Sequence, residues 1–319
     1  MKPIETLQSM RFLFVVLIFF SHFAYGNIAA FDAGGDCGVA FFFVLSGFVC
    51  SLGYGDRLRN GAFCHRSFLF RRLRKIYPLH LLCLVAIFVA GSHSIDTKVV
   101  LNALLLQSWV PNAEYYFSFN GVSWFLSSLL FCYAVFPFAY RNLSRTFVIA
   151  VLVAYAVFFV AIPYDKVNAL LYVFPLTRFV DFMLGMALCR LFERNINAIV
   201  PRWAEVGITL LLVVSLFAYP IIDEKVRTAP LYWFILLPMI YVFALQNGPL
   251  SRITRKKALL RLGGLAMPFY MVHQMVINAM LRFLPDMTPV LMLALCFAAS
   301  LCVAFCISWL MKRMTKAAR

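Results

Sequence analysis

The chain has 319 residues, 63% of them hydrophobic and only 13% charged, with a mean hydropathy of +0.86. A water-soluble domain cannot bury that much apolar surface, so the composition excludes one and points to an all-α, polytopic transmembrane helical bundle. The formal charge of +16 reads as the excess of Lys and Arg on the cytoplasmic side of membrane proteins, not as an affinity for nucleic acid.

The first apolar stretch, Met10 to Ala30 (MRFLFVVLIFFSHFAYGNIAA), has about the 20 residues that cross a bilayer. Two residues interrupt it, Arg11 at its start and His22 well inside. Their spacing is roughly three helical turns, which puts both on one face about 16 Å apart along the axis. An ionisable group at membrane depth is costly and marks a candidate site. The competing readings are a charged anchor at the membrane surface for Arg11 and an interhelical hydrogen bond for His22. Lys2, the apolar run and Ala29–Ala30 also fit a cleaved signal peptide loosely, but a second apolar run begins at Val39, so a retained span is expected.

Apolar runs between charged breaks predict ten spans, at 11–30, 38–54, 76–92, 123–140, 147–162, 170–190, 205–222, 230–246, 263–283 and 289–311. Val99 to Val110 is too short to cross and reads as a re-entrant or interfacial piece. With both termini cytoplasmic and that piece not crossing, most Lys and Arg fall inside. Asp32, Asp36, Asp96, Glu114, Asp165, Asp223, Glu224 and Asp286 then all fall outside. The chain reads as a single membrane-embedded domain, 1–319.

Several stretches carry candidate chemistry. Asp32 and Asp36 are placed in a short first outer loop, and Ser46–Gly47 near the middle of the second span suits close helix approach. The loop 55–75 is the most basic. Its end, FLFRRLRKIYP, reads either as an amphipathic interfacial helix or as a phosphate fork, because Arg71 and Arg74 share a helical face. The outer stretch 93–122 mixes aromatic and polar residues, as a carbohydrate-facing surface or an interfacial belt would. Trp124, Ser127 and Ser128 follow it within about a turn. Arg178 and Asp181 are three apart in one span and read as a buried structural ion pair. Tyr270 and His273 are likewise three apart, as candidate substrate contacts or interior hydrogen-bonding groups. Of the nine cysteines, Cys50, Cys83, Cys132, Cys189, Cys296, Cys302 and Cys306 lie in apolar segments and read as small core residues. No Cys-x-x-Cys pair and no histidine spacing suggests a metal.

An imidazole titrates near neutrality and serves as general base or transient acyl carrier. A cytoplasmic arginine pair, a histidine in the outer half of a span and an aromatic outer surface suit moving an acyl group from a cytosolic thioester to an outside hydroxyl. They suit equally a transporter or flippase using Arg11, His22, Arg178 and Asp181 as a proton or anion path, and a structural membrane partner without chemistry is a third reading.

Arg11-x10-His22, GVAFFFVLSGF at 38–48, RRLRKIYP at 71–78, SWFLSSLLFCYAVFP at 123–137, RFVDFMLGM at 178–186 and FYMVH at 269–273 occur in an order that resembles the acyltransferase 3 family across most of the chain. The resemblance implies an inner-membrane O-acyltransferase of about ten spans acting on exported sugars or lipids, with acetyl-CoA or another acyl-CoA as donor and no metal. It implies His22 as the catalytic histidine, Arg11 as its partner, and Arg71 and Arg74 as the donor-handling pair. Trp124, Ser127, Tyr270 and His273 are the expected substrate-binding residues. The acceptor glycan or lipid, the bilayer, glycan-assembly proteins and a second copy of the chain are the candidate partners. The sequence departs from the family where Trp124-Phe125-Leu126-Ser127-Ser128 lacks a carboxylate, where Asp181 replaces a common glutamate and where Ala40 replaces a common aspartate. No periplasmic hydrolase-like domain is appended, so transfer is expected to be completed by the membrane unit or a separate partner.

Overall fold

A computed structural model describes residues 4–91, 94–228 and 230–317, with side chains to 313. Lys2 and Ser92, the latter the end of the expected third span, fall outside the described residues. Helix accounts for 81% of the chain, with no strand among the described residues. Ten long helices stand at the ten expected stretches: α1 Glu5–His22, α2 Asp32–Arg59, α3 His65–Ala90, α4 Trp124–Arg141, α5 Arg145–Ala161, α6 Pro175–Arg194, α7 Ala204–Ala218, α8 Pro230–Leu245, α9 Ala266–Phe283 and α10 Pro289–Ala317. By length and composition six helical segments can cross a membrane, or seven if a bent pair is one span. The bent pair is α5 with Tyr164–Val173, joined at 120°. Helices α1, α6 and α9 are not among the six; α1 carries Arg11, α6 carries Arg178 and Asp181, and α9 carries His273 and Gln274.

The boundaries differ from expectation in ways that matter for the site. The first helix runs from Glu5 to His22, not through Ala30. Arg11 is therefore about two turns inside it, and His22 is its last residue. Residues 23–31 instead reverse the chain through the Tyr25–Ile28 bridge, with Gly26 at φ +57°. Asp32 and Asp36, expected in a loop, are in the first turns of α2. The basic segment 65–75 is not a separate interfacial helix. It is continuous with the apolar half of α3, with Pro78 inside the helix. Val99–Val110 forms only the seven-residue helix Thr97–Ala103 and a 3-10 turn at Gln107–Trp109, too short to cross.

Helix α2 is central and packs against α1, α4, α6 and α8. Its closest partner is α6, and two glycines explain why. A Cβ on Gly47 would overlap the backbone carbonyl of Phe182, and a Cβ on Gly185 would overlap that of Val44. Small residues let two backbones meet with no side chain between them, as expected at Ser46–Gly47. The outward surface is apolar: Val153, Val157 and Val160 on α5, Val214 and Phe217 on α7, and Val290 and Phe305 on α10 are exposed. Polar side chains such as Thr6, Ser9, Gln107, Arg178, Asp181 and His273 are buried. An apolar exterior with the polar side chains turned inward among an apolar core suits a lipid surrounding.

Candidate active site

His22 ends α1 and faces α9. Its Nδ1 lies 2.9 Å from the Ile18 carbonyl one turn back, 3.3 Å from His273 Nε2 and 3.4 Å from Ser21 Oγ. A carbonyl only accepts, so Nδ1 carries the proton and neutral His22 has its lone pair on Nε2. His273 Nδ1 lies 2.7 Å from the Tyr270 carbonyl and 3.3 Å from that of Phe269. The same reasoning places its proton on Nδ1 and its lone pair on Nε2, facing His22. The rings meet edge to face, with centroids 5.0 Å apart. His273 is fully buried, its ring parallel to Phe269 at 6.1 Å, while His22 is half-buried. Asp32 lies within electrostatic range of His22. The carboxylate end of α2 also holds Asp36, which accepts a 2.9 Å bond from the Tyr219 hydroxyl. A cleft of about 440 Å³ opens here beside Phe31, Asp32, Tyr219 and Arg227.

Two turns into α1, Arg11 has a different setting. Its Nη1 donates to the neutral Gln8 amide oxygen at 3.0 Å. Arg72 and Lys75 of α3 lie within its electrostatic range, as do Cys50 and Tyr133. Arg72 donates from Nη2 to Cys50 Sγ at 3.2 Å, and its guanidinium sits over Tyr133 at 5.0 Å, Phe68 at 5.3 Å and Tyr54 at 5.5 Å. Its buried Nε has no partner. Among the described residues none of these three cations has a carboxylate partner. Arg11 and Arg72, held by a neutral amide and by rings with no carboxylate on either, are chemically suited to an anion. Between Arg11 and His22 the same face of α1 is filled by Val15 and Ile18, which are 0% and 1% exposed. An acyl arm reaching from one to the other has to displace that packing.

The expected site residues are redistributed. Arg71 and Arg74 are exposed, and Arg71 leans over the Tyr54 ring at 5.7 Å. It is Arg72, between them, that turns inward. The buried stripe of α3 runs through Phe68, Ile76, Leu79 and Cys83, and position 72, four residues from both Phe68 and Ile76, falls on the same face. Trp124, Ser127, Tyr270 and His273, expected to bind substrate, are all buried. Neither the cleft at Asp32 nor a second one on α10, at Phe305–Leu310, is lined by them. Ser127 Oγ accepts from the Ser108 amide at 3.4 Å and Tyr270 donates to the Val122 carbonyl at 2.8 Å, so both brace the outer loop. Trp124 packs on Tyr172 at 4.9 Å. Cys302 and Cys306, read as core residues, are exposed on α10, while Cys50, Cys83, Cys132, Cys189 and Cys296 are buried.

Arg178 and Asp181 form the expected pair, Nη1 to Oδ2 at 2.8 Å, with both side chains sealed at 0% and 1% exposure. Arg178 also donates to the Tyr172 carbonyl at 2.5 Å and the Thr228 carbonyl at 3.2 Å, and Trp233 Nε1 donates to the other Asp181 oxygen. Each nitrogen of Arg178 and each carboxylate oxygen of Asp181 thus has a partner, as a structural ion pair requires.

Fold and site together define a multi-pass membrane protein with an imidazole pair at one end of its central helices and unpaired cations nearer the other. The chain belongs to the acyltransferase domain family, whose model matches residues 4–309, and it is an acyltransferase. It is similar to the acyltransferase MdmB of Streptomyces mycarofaciens, 28% identical over 279 residues that cover 76% of this chain and 68% of that protein. No solved structure matches the chain.

Proposed function

We propose that the protein is an inner-membrane O-acyltransferase with ten spans and both termini cytoplasmic. It moves an acyl group, most simply acetyl, from cytosolic acyl-CoA to a hydroxyl of an exported sugar polymer or glycolipid. The topology rests on the distribution of Lys and Arg. The observation that carries the reaction is His22, an imidazole whose Nδ1 proton is tied to Ile18 and whose Nε2 lone pair has no hydrogen-bond partner among the described residues.

In this reading Nε2 takes the proton of the acceptor hydroxyl as its oxygen bonds to the thioester carbonyl carbon. The carbon–sulfur bond then breaks, and the departing thiolate takes the proton back from Nε2, so His22 ends as it began. Arg11, Arg72 and Lys75 hold the donor's phosphates, with Arg71 and Arg74 as exposed first contacts. The Asp32 cleft, on the side of His22, receives the polyol.

The test is purified protein in detergent or liposomes with labelled acetyl-CoA and isolated surface glycans or glycolipids. Removal of a general base costs on the order of 10²–10⁴-fold, so His22→Ala protein of normal melting temperature is expected to lose transfer by that factor. Transfer at the wild-type rate by His22→Ala overturns the assignment.

A further inference from the structure

We propose that His273 is the positioning residue of this reaction, the second acceptor of the His22 Nδ1–H, which together with the Ile18 carbonyl fixes the ring orientation of His22. The inference rests on His22 being the base, as proposed above.

Three carbonyl oxygens and the nitrogens of the two rings fix the protons. The Tyr270 and Phe269 carbonyls, belonging to the helix on which His273 stands, hold the proton of His273 on Nδ1. That leaves its Nε2 as a bare acceptor, and 3.3 Å away is His22 Nδ1, which the Ile18 carbonyl already requires to be a donor. The His22 Nδ1 proton is therefore shared between the Ile18 carbonyl and His273 Nε2, and the His273 Nδ1 proton points to the carbonyl of Tyr270. The opposite tautomer of either ring would set a lone pair against a carbonyl oxygen. The only nitrogen left with an unclaimed lone pair is His22 Nε2, the one the reaction needs.

No carboxylate is hydrogen-bonded to either ring among the described residues, so a neutral imidazole stands where a carboxylate orients the base in serine hydrolases. It orients without taking the proton over, because its own Nδ1 proton faces two carbonyls. Full burial and the parallel Phe269 ring hold it in place. When His22 becomes an imidazolium during transfer, the bond to His273 Nε2 becomes charge-assisted and strengthens. His273 thus favours the charged intermediate over the resting ring, and its loss falls on turnover, not on substrate binding.

Two substitutions test this in the acetyl-transfer assay. His273→Phe keeps a buried ring and loses the acceptor. It is expected to lower kcat on the order of 10–100-fold, as loss of an orienting partner does elsewhere, while KM for acetyl-CoA and for the acceptor stays within about twofold. His273→Gln puts an amide oxygen in reach of His22 Nδ1 and is expected to restore most of kcat. If His273→Phe does not yield folded protein, His273→Met, of similar length to Gln but with no comparable acceptor, replaces it in the comparison. Unchanged kcat in the variant without an acceptor, equal loss in His273→Gln, or an effect confined to KM overturns the proposal. Wild-type protein without transfer, or an active His22→Ala, overturns instead the reading on which it rests.

Discussion

Replacing Gly185 by Ala separates packing from helix propensity by the sign of its effect. In an exposed helix interior Gly→Ala stabilises by roughly 0.5–1 kcal/mol, because alanine loses less backbone freedom on folding. Gly185 lies inside α6, where a new Cβ meets the backbone carbonyl of Val44 and the amide of Phe48. Backbone atoms of a central helix cannot swing aside as the tip of a flexible side chain can, so α2 and α6 must separate. Overpacking of this kind costs about 1–3 kcal/mol, and the reciprocal contact of Gly47 with Phe182 and Met186 puts Gly185→Ala at the upper end. The net is a loss of about 2 kcal/mol, on the order of 3 °C in melting temperature for a chain of this length. Gly53 and Gly207 serve as controls, because a Cβ at either meets nothing within 4 Å. Thermal unfolding of the purified protein, followed by loss of the monodisperse elution peak, reads all three. Gly53→Ala and Gly207→Ala are expected to hold or raise the midpoint. A midpoint for Gly185→Ala at or above wild type refutes the close-approach argument.

Three further predictions concern charged groups. Breaking the sealed pair with Arg178→Met or Asp181→Leu alone leaves an unpaired buried charge and is expected to cost about 3–5 kcal/mol. The double variant should lose clearly less than the sum, and additive losses in the unfolding assay would contradict the pairing. Glu205, 1% exposed, accepts from the amides of Gly248 at 3.0 Å and Ser251 at 2.7 Å, tying the start of α7 to the segment after α8. Glu205→Ala orphans both donors and is expected to cost on the order of 2–4 kcal/mol, read as a fall in melting temperature; an unchanged midpoint would show that the tie contributes nothing. Arg72→Gln is expected to weaken acetyl-CoA binding about tenfold or more and Arg74→Gln much less, because Arg72 turns inward near Arg11 while Arg74 is exposed. Titration with labelled donor decides, and the reverse order restores the outward pair to the donor site.

Part of this was legible along the chain because hydropathy reports what burial costs each residue. Ten spans were expected; ten long helices occur among the described residues, of which six or seven segments are long and apolar enough to cross a membrane, since an apolar run bounded by charge has few alternatives to a helix in lipid. Their ends were less legible. Residues 23–30 are as apolar as the helix before them, yet they turn, and hydropathy does not distinguish an apolar turn from an apolar helix. Arg71 and Arg74 were favoured over Arg72 because helical spacing alone leaves the rotation of the stripe open. The buried positions Phe68, Ile76, Leu79 and Cys83 fix that rotation.

The sequence by itself determined the membrane class, the helical elements and, through six ordered motifs, the family. It also marked His22, Arg11 and the Arg178–Asp181 pair, because an ionisable group in an apolar run stands out whatever surrounds it. Only the tertiary structure decided who meets whom: His273 against His22 across 251 positions, Arg72 turned toward Arg11, and two glycines closing α2 on α6. Those contacts depend on the relative rotation and depth of separate helices. Packing sets both, and the composition of each helix taken alone leaves them free.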